Sequence, residues 1–411
     1  MKNSLFNYPL TDTMLDKEDI LAAIKVLKSK WITMGNETLK FENTFTKKIS
    51  KTTSIMVNSG SSANLLIFQC LINPKVEKLK KNDEVLIPAI CWSTSLWPII
   101  QSGLNAKFVD IDPNTLNINI EDLEKKISKK TKALMLVHAM GNCADMHKIV
   151  KICKKHKLIL IEDTCEALGS KFKDKQLGTF GDFSSFSFFY SHHITSGEGG
   201  MICAKNKKDA DVIKTLRSHG WHRAISNKKS NSWSFINSGF NLRPTDISAA
   251  IGNSQLKKLN HIIKIRKKNF RSIRKALLED KNYSNKFDIL KENSSSSIVW
   301  FGIPIILKST KKNYKDLVTN KLNKLGIVTR PLISGNFAKQ PAIKLYNLKI
   351  NDDLKNADYI DKYSFFIGLH NTITTNKSKK MTKVGNFLFH EKILLHEKLL
   401  IIGKKISILG F

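Results

Sequence analysis

Between Ser54 and Cys203 short apolar runs alternate with longer stretches of helical length and pattern, and this rhythm limits the fold more than any other feature of the sequence. The spacing predicts strands at Ser54–Val57, Glu84–Pro88, Lys107–Asp110, Lys132–His138, Leu158–Glu162, Ser184–Phe189 and Met201–Ala204. Stretches such as Ala63–Leu71 and Met146–His156 read as helices between them. Parallel strands need a crossover of a dozen or more residues, whereas antiparallel ones can be joined by a tight turn. The alternation therefore predicts an α/β fold with a mainly parallel sheet and helices on both faces. From about Leu256 the texture changes to long basic helices and a few strands, among them Ser297–Ile306, which predicts a smaller C-terminal α+β domain. The expected division is a large domain over 1–255, including an N-terminal segment 1–35, a small domain over 256–389, and a basic-apolar tail over 390–411.

Composition narrows the class. The 411 residues are 41% apolar and 25% charged, which excludes a disordered, fibrous or membrane-embedded chain. Lys and Arg number 68 against 35 Asp and Glu, a net charge of +33. Such an excess fits nucleic acid, acidic surfaces or phosphorylated ligands, or a solvated coat of lysines in a Lys-, Asn- and Ile-rich chain. No nucleic-acid-binding motif accompanies it, so no nucleic-acid partner is expected. Met1–Leu10 lacks the unbroken apolar core of a secretory leader, and no run of 18 uncharged apolar residues occurs, so neither export nor stable membrane insertion is expected. The cysteines Cys70, Cys91, Cys143, Cys153, Cys165 and Cys203 form no Cys-x-x-Cys pair, a pattern of scattered core thiols in a reducing, cytoplasmic setting with no disulfide frame and no zinc site. The tail repeats His390-Glu-Lys-Ile-Leu-Leu395 as His396-Glu-Lys-Leu-Leu-Ile401, which reads either as a basic amphipathic helix on a membrane surface or as a packing appendage.

Three loops carry candidate chemistry. The run Ile55-Met-Val57 stops at Asn58-Ser-Gly-Ser-Ser-Ala-Asn64, where a helix begins. Such a turn exposes backbone N–H groups and the positive end of a helix dipole to a phosphate, although a Ser-rich helix cap has the same appearance. It matches neither the nucleotide P-loop nor the dinucleotide fingerprint. Ile159-Leu-Ile-Glu-Asp-Thr164 ends an apolar strand in two carboxylates at the expected carboxyl edge of the sheet, where ligands of open α/β sheets bind, so either one pairs with a cationic ligand group or Asp163 caps a helix. In Ser184-Ser-Phe-Ser-Phe-Phe-Tyr-Ser-His-His-Ile-Thr-Ser-Gly-Glu-Gly-Gly200, two histidines precede a Gly-rich turn, and no carboxylate or thiol stands at metal-ligand spacing.

Together these loops resemble the vitamin B6-dependent nucleotide-sugar aminotransferase and dehydratase family, from Trp31-Ile-Thr-Met-Gly35 through Phe366-Ile-Gly-Leu-His370. The resemblance implies the aspartate aminotransferase-like fold (PLP fold type I) with pyridoxal 5′-phosphate or pyridoxamine 5′-phosphate as cofactor. It implies that Gly60, Ser61, Ser62 and Ser187 hold the phosphate, that Trp92 stacks on the pyridine ring, and that Asp163 pairs with the protonated ring nitrogen, which keeps the ring an electron sink. Asn241, in Ser238-Gly-Phe-Asn-Leu-Arg-Pro-Thr-Asp246, matches the residue that reaches the phosphate from a second subunit, implying a homodimer with shared active sites.

The main departure is His192, which stands five residues after Ser187, where family aminotransferases carry the lysine that links covalently to the cofactor; no lysine occurs between Lys175 and Lys205. An imidazole forms no such stable link but moves protons near neutral pH. With Arg217-Ser-His-Gly-Trp221 and Arg330-Pro-Leu-Ile-Ser-Gly-Asn-Phe337, the position resembles the 3-dehydratases of deoxysugar pathways. That resemblance implies removal of the C3 hydroxyl from a nucleotide-linked 4-keto-6-deoxy sugar, GDP-4-keto-6-deoxy-D-mannose first and CDP- or dTDP-linked glucose-derived sugars as alternatives. His192 would be the acid/base and L-glutamate would reset a non-covalently held cofactor. Thr33, Met34, Gly35 and Arg330 would contact substrates, with Arg330 on the glutamate carboxylate, and His219 would assist the leaving group. His193 would be a packing neighbour. Residues 204–411 contain no cysteine, so the [2Fe-2S] centre of a sister dehydratase is not expected. Glu166 and Val328 depart from the residues common in the family and blur substrate identity rather than the cofactor. A true aminotransferase and a catalytically idle relative are the alternatives.

Overall fold

A computed structural model describes residues 8–371, apart from 13–14, 50–52, 226–232, 279–285, 293–294, 309–312, 347, 349 and 351–352; the tail 390–411 lies outside the described residues. Its centre is a seven-stranded sheet of β1 (Thr53–Val57), β2 (Glu84–Pro88), β3 (Asn105–Val109), β4 (Thr131–Val137), β5 (Ile159–Asp163), β6 (Phe183–Ser187) and β7 (Gly200–Ala204) in the order β1-β7-β6-β5-β4-β2-β3. The expected mainly parallel sheet is present, with every expected strand displaced by two residues or fewer at its ends. Helices α1 (Gly60–Leu71), α2 (Ser93–Gln101), α3 (Ile120–Lys126) and α4 (Met146–His156) form the crossovers. The loop 188–199 joins β6 to β7 without a helix, and β7 accordingly runs antiparallel to both β6 and β1.

Register places the chemical loops together. Val57 pairs with Gly200, Gly200 pairs with Ser187, and Ser185 lies beside Asp163, so the ends of β1, β5 and β6 and the start of β7 share one edge of the sheet. A Cβ on Gly200 would lie 2.3 Å from the Ser59 carbonyl oxygen, so only glycine lets the loop after β1 close over β7. Strand alternation turns the two carboxylates of β5 to opposite faces. Glu162 is fully buried and accepts hydrogen bonds from the amides of Gly178 (2.8 Å), Phe180 (2.8 Å) and Gly181 (2.7 Å) and from His138 Nε2 (2.9 Å), which holds the turn leading into β6. Behind the sheet, Phe41, Phe45, Phe186 and Phe188 form an aromatic cluster, with Phe41–Phe188 and Phe45–Phe186 centroids each 5.1 Å apart.

A second sheet orders β8 (Phe287–Ile289), β9 (Gly302–Leu307), β11 (Ser364–Gly368) and β10 (Thr329–Arg330), all antiparallel. The helix Asp246–Leu278 runs toward it from the large sheet and is pinned near its start, where Lys258 Nζ meets Asp16 and Asp19 at 2.6 and 2.7 Å. One expected element is corrected here. The strand expected over Ser297–Ile306 is two pieces: Ser296–Ser297 pairs with Lys171–Phe172, and β9 starts only at Gly302. Between them the backbone bonds to side chains and to the Met140 carbonyl instead of a neighbouring strand. Val299 N–H donates to Ser170 Oγ (2.8 Å), and its carbonyl accepts from His193 Nε2 (2.9 Å).

Glu162→Ala would leave the Gly178, Phe180 and Gly181 amides and the buried His138 without their acceptor, at about 1–3 kcal/mol per orphaned group. Chemical denaturation of this variant is expected to show a loss of at least ~3 kcal/mol, with a smaller loss for Glu162→Gln; wild-type stability in Glu162→Ala would refute the assigned role.

Candidate active site

Asp163, at the carboxyl end of β5, is 6% exposed and charged, so it requires donors. Its Oδ2 accepts from Asn64 Nδ2 (2.9 Å) and Ser95 Oγ (2.7 Å), and its Oδ1 accepts from the Cys165 amide (3.2 Å). It is therefore held by side chains from α1 and α2, not used as a helix cap. Asn64 lies one turn into α1 and also donates to the Thr94 carbonyl (3.1 Å), while Thr94 Oγ1 meets Ser61 Oγ at 2.8 Å. The first turn of α2 thus joins Asp163 to the loop at the start of α1, and Trp92, at the N-cap of α2, stands 56% exposed beside it.

Gly60 opens α1. Ser59 Oγ accepts from the Ser62 amide (3.1 Å) and donates to Ser62 Oγ (3.0 Å), so the Gly60 and Ser61 amides remain as first-turn donors that no helix can satisfy internally. A Cβ at position 60 would lie 2.8 Å from Ser187 Cβ and 3.0 Å from Cys165 Sγ. Gly60, Ser61, Ser62 and Ser187 are thereby brought into one cradle at a helix N-terminus.

The β6–β7 loop presents His192. Its ring meets Phe301 edge-on at 5.1 Å and Phe189 at 6.1 Å, and its Nδ1 is buried with no hydrogen-bond partner. Burial drives the imidazole pKa down to about 4; Asp163 opposes that shift and Arg266 adds to it. His192 is thus neutral at physiological pH, ready to accept a proton. His193 is fully buried with Nε2 on the Val299 carbonyl, a structural residue. Glu166 accepts from the Met140 amide (2.7 Å), and burial, with Asp163 adding to it, pushes its carboxyl up to about 7.

The remaining expected residues fall into two groups. Asn241 is exposed, bridges Ser218, and accepts from Arg243 Nε (3.0 Å). His219, at φ 59°, packs on Trp221 at 4.8 Å, and its amide donates to the Phe240 carbonyl. Thr33 bridges Thr245, and the Gly35 amide donates to Asp246 Oδ1 (2.8 Å); Met34 lies between them. This group adjoins the first cluster through the Asn58 amide on the Leu242 carbonyl (3.1 Å). Arg330 is exposed on β10 as register partner of Phe366, whose ring contacts Phe301 at 6.2 Å. Sequence reasoning did not single out Asn64 and Ser95. Asn64 was findable, because a residue four after Gly60 shares its face of the helix; Ser95 gave no such signal. Among the described residues no cluster of three or more His, Cys, Asp or Glu could hold a metal ion, and no helix is long and apolar enough to cross a membrane.

The model of the DegT/DnrJ/EryC1/StrS aminotransferase family matches residues 13–384. The chain belongs to that family. It is 36% identical over 396 residues to the GDP-4-keto-6-deoxy-D-mannose 3-dehydratase of Yersinia pseudotuberculosis, covering 93% of this chain and 99% of that one. A solved E. coli GDP-4-keto-6-deoxy-D-mannose-3-dehydratase with bound hydrated PLP superimposes with a TM-score of 0.86 at 37% identity, over 92% of this chain and 99% of that one. A structure of GDP-4-keto-6-deoxymannose-3-dehydratase with a trapped PLP–glutamate geminal diamine does so equally well, with a TM-score of 0.86 at 36% identity over 92% of this chain and all of the other. The fold is accordingly that of the PLP fold type I enzymes of this family. The cradle at Gly60, the Asp163 carboxylate with its fixed donors, and the unpartnered His192 nitrogen suit a phosphate-bearing pyridine held without a lysine.

Glu166 and His192 give opposite stability signatures. A carboxyl raised from 4.5 to about 7 favours folding below pH 4.5 and loses that contribution as pH rises to 7. A lowered imidazole contributes above 6.5 and loses that contribution as pH falls toward 4. Urea titrations of Glu166→Gln are expected to lack the wild-type decline between pH 4.5 and 7; an unchanged profile would refute the shift.

Proposed function

We propose that this chain is a PLP/PMP-dependent 3-dehydratase, a carbon–oxygen lyase that removes the C3 hydroxyl of a nucleotide-linked 4-keto-6-deoxy sugar, GDP-4-keto-6-deoxy-D-mannose, in 3,6-dideoxysugar and O-antigen biosynthesis. The observation that carries the reading is a neutral imidazole at position 192 where family aminotransferases place an amine, in a chain lacking lysine from 176 to 204. When bound, the cofactor supplies an amine for the C4 ketone and a ring that takes up electrons as the C3 oxygen departs. Asp163, fixed by Asn64 and Ser95, would pair with the ring nitrogen and keep it protonated. The α1 amides and the hydroxyls of Ser61, Ser62 and Ser187 would bind the phosphate. Trp92 would cover the ring. With the cofactor bound, His192 would be the group that takes up and returns a proton beside the cofactor amine, in loss of the hydroxyl and again in the exchange with L-glutamate.

The overall change balances: the sugar loses one oxygen atom, and L-glutamate takes up the equivalent of one as it becomes 2-oxoglutarate and ammonia. Arg330 offers a planar guanidinium to the glutamate carboxylate, and its link through Phe366 and Phe301 to His192 supports that role. His219 and the segment Thr33-Met-Gly35 are assigned to the sugar. A homodimer is supported by the exposed apolar side chains of Ile20, Leu21, Leu27, Trp31 and Ile32, and by exposed Asn241, which would reach the phosphate of the second copy. The scattered thiols, none in a disulfide among the described residues, favour a cytoplasmic enzyme.

Incubating the protein with PLP, L-glutamate and GDP-4-keto-6-deoxymannose is expected to give 2-oxoglutarate and a 4-keto-3,6-dideoxy sugar; a 4-amino sugar as main product would overturn the reading. Borohydride reduction with PLP is expected to leave no covalent adduct in wild type and to create one in His192→Lys, which loses dehydration. Asn64→Leu, removing one bond to a charged acceptor, is expected to weaken PLP binding about tenfold by absorbance titration.

A further inference from the structure

Arg266 is a buried cation with no counter-ion among the described residues. It sits within the helix Asp246–Leu278, is 1% exposed, and has no carboxylate within ion-pair distance among the described residues. Desolvation lowers its pKa to about 10, so it stays charged, and its Nε finds no partner. An unpaired buried charge is costly, and its retention calls for a specific use. Among the described residues its hydrogen bonds go to backbone: Nη2 donates to the Trp300 carbonyl (2.9 Å) and the Phe301 carbonyl (2.8 Å).

Those two carbonyls belong to the segment that interrupts the expected strand. It is anchored residue by residue, with Val299 held by Ser170 and His193, Trp300 stacked on Phe270 at 4.9 Å, and the Phe301 amide on the Met140 carbonyl (2.9 Å). The segment delivers the Phe301 ring to His192 at 5.1 Å and to His193 at 6.2 Å. From the geometry we infer that Arg266 is a positioning residue for His192, its guanidinium clamping the Trp300 and Phe301 carbonyls so that the Phe301 ring seats the imidazole. The inference builds on the reading of His192 as the proton carrier.

The charged and titratable groups that bear on His192 are Asp163 on β5, Arg266 on the long helix and His193 on its own loop; Phe189 and Phe301 supply apolar walls. Asp163 favours the imidazolium and Arg266 disfavours it, so removing the Arg266 charge raises the His192 pKa. A base that must be neutral then fails at a higher pH, and the acidic limb of kcat moves up.

The test compares Arg266→Lys, Arg266→Gln and Phe301→Leu with wild type. Arg266→Gln keeps amide donors and loses the charge, and its acidic limb is expected to move up by about one pH unit. Arg266→Lys keeps the charge and is expected to restore the wild-type limb. Phe301→Leu leaves Arg266 in place and is expected to lower kcat about tenfold or more with KM for glutamate unchanged. Independently of turnover, the His192 ring resonance, identified by its loss in His192→Asn, is expected to titrate at higher pH in Arg266→Gln. A folded Arg266→Gln with wild-type His192 titration overturns the inference. If Arg266→Gln fails to fold, wild-type kcat in Phe301→Leu overturns it. A wild-type protein without dehydratase turnover but with the shifted titration would fault the proposed reaction and leave the Arg266 assignment standing.

Discussion

The two-residue period of a strand organises this protein. At the end of Ile159–Asp163 adjacent carboxylates point to opposite faces of the sheet. Asp163 enters the site, where Asn64 and Ser95 satisfy it; Glu162 enters the frame, where three amides and His138 do so. Glu162 fixes the turn from which Phe183–Ser187 starts, and that strand sets the position of Ser187 and of the loop bearing His192. Two buried anions therefore coordinate the site from both sides of one strand, each tolerated because its hydrogen-bond capacity is met.

Much of this was legible in sequence because it follows from local rules. The seven strands of the large sheet are bounded by turn residues and separated by helical lengths, and each appears within two residues of its expected ends. Position 192 was legible because it is defined by spacing from Ser187 and by an absence of lysine. What remained hidden depends on long-range partners. Ser95 looks like any helix-start residue until Asp163 is set beside it, and Arg266 looks like another solvated charge in a basic helix until its burial is known. The apolar run around Ile298–Phe301 reads as strand because periodicity carries no information about which side chains will claim its carbonyls.

The site's ionisable groups share a direction. Burial raises the Glu166 carboxyl and lowers the His192 imidazole, so each is moved toward its neutral form. Burial of this kind strengthens the remaining charges, the Asp163 carboxylate and the Arg266 guanidinium among them. The large positive charge of the chain has a modest place beside this: anionic phosphate, nucleotide and glutamate gain from a basic surface, but no individual contact described above depends on it.

The loop 188–199 has its ends locked together, since Ser187 and Gly200 are register partners in adjacent antiparallel strands. Between those ends the loop is held by the Thr195 hydroxyl on the Phe188 carbonyl and by His193 on the Val299 carbonyl, so its frame does not depend on a hydrogen bond from the side chain at position 192. On the proposed function, a scaffold arranged in this way is evolvable: exchanging one functional group at position 192 would redirect the reaction while the sheet register stays as it is. The adaptation that must follow is confined to what touches that side chain, chiefly the aromatic ring of Phe301 and the buried cation behind it.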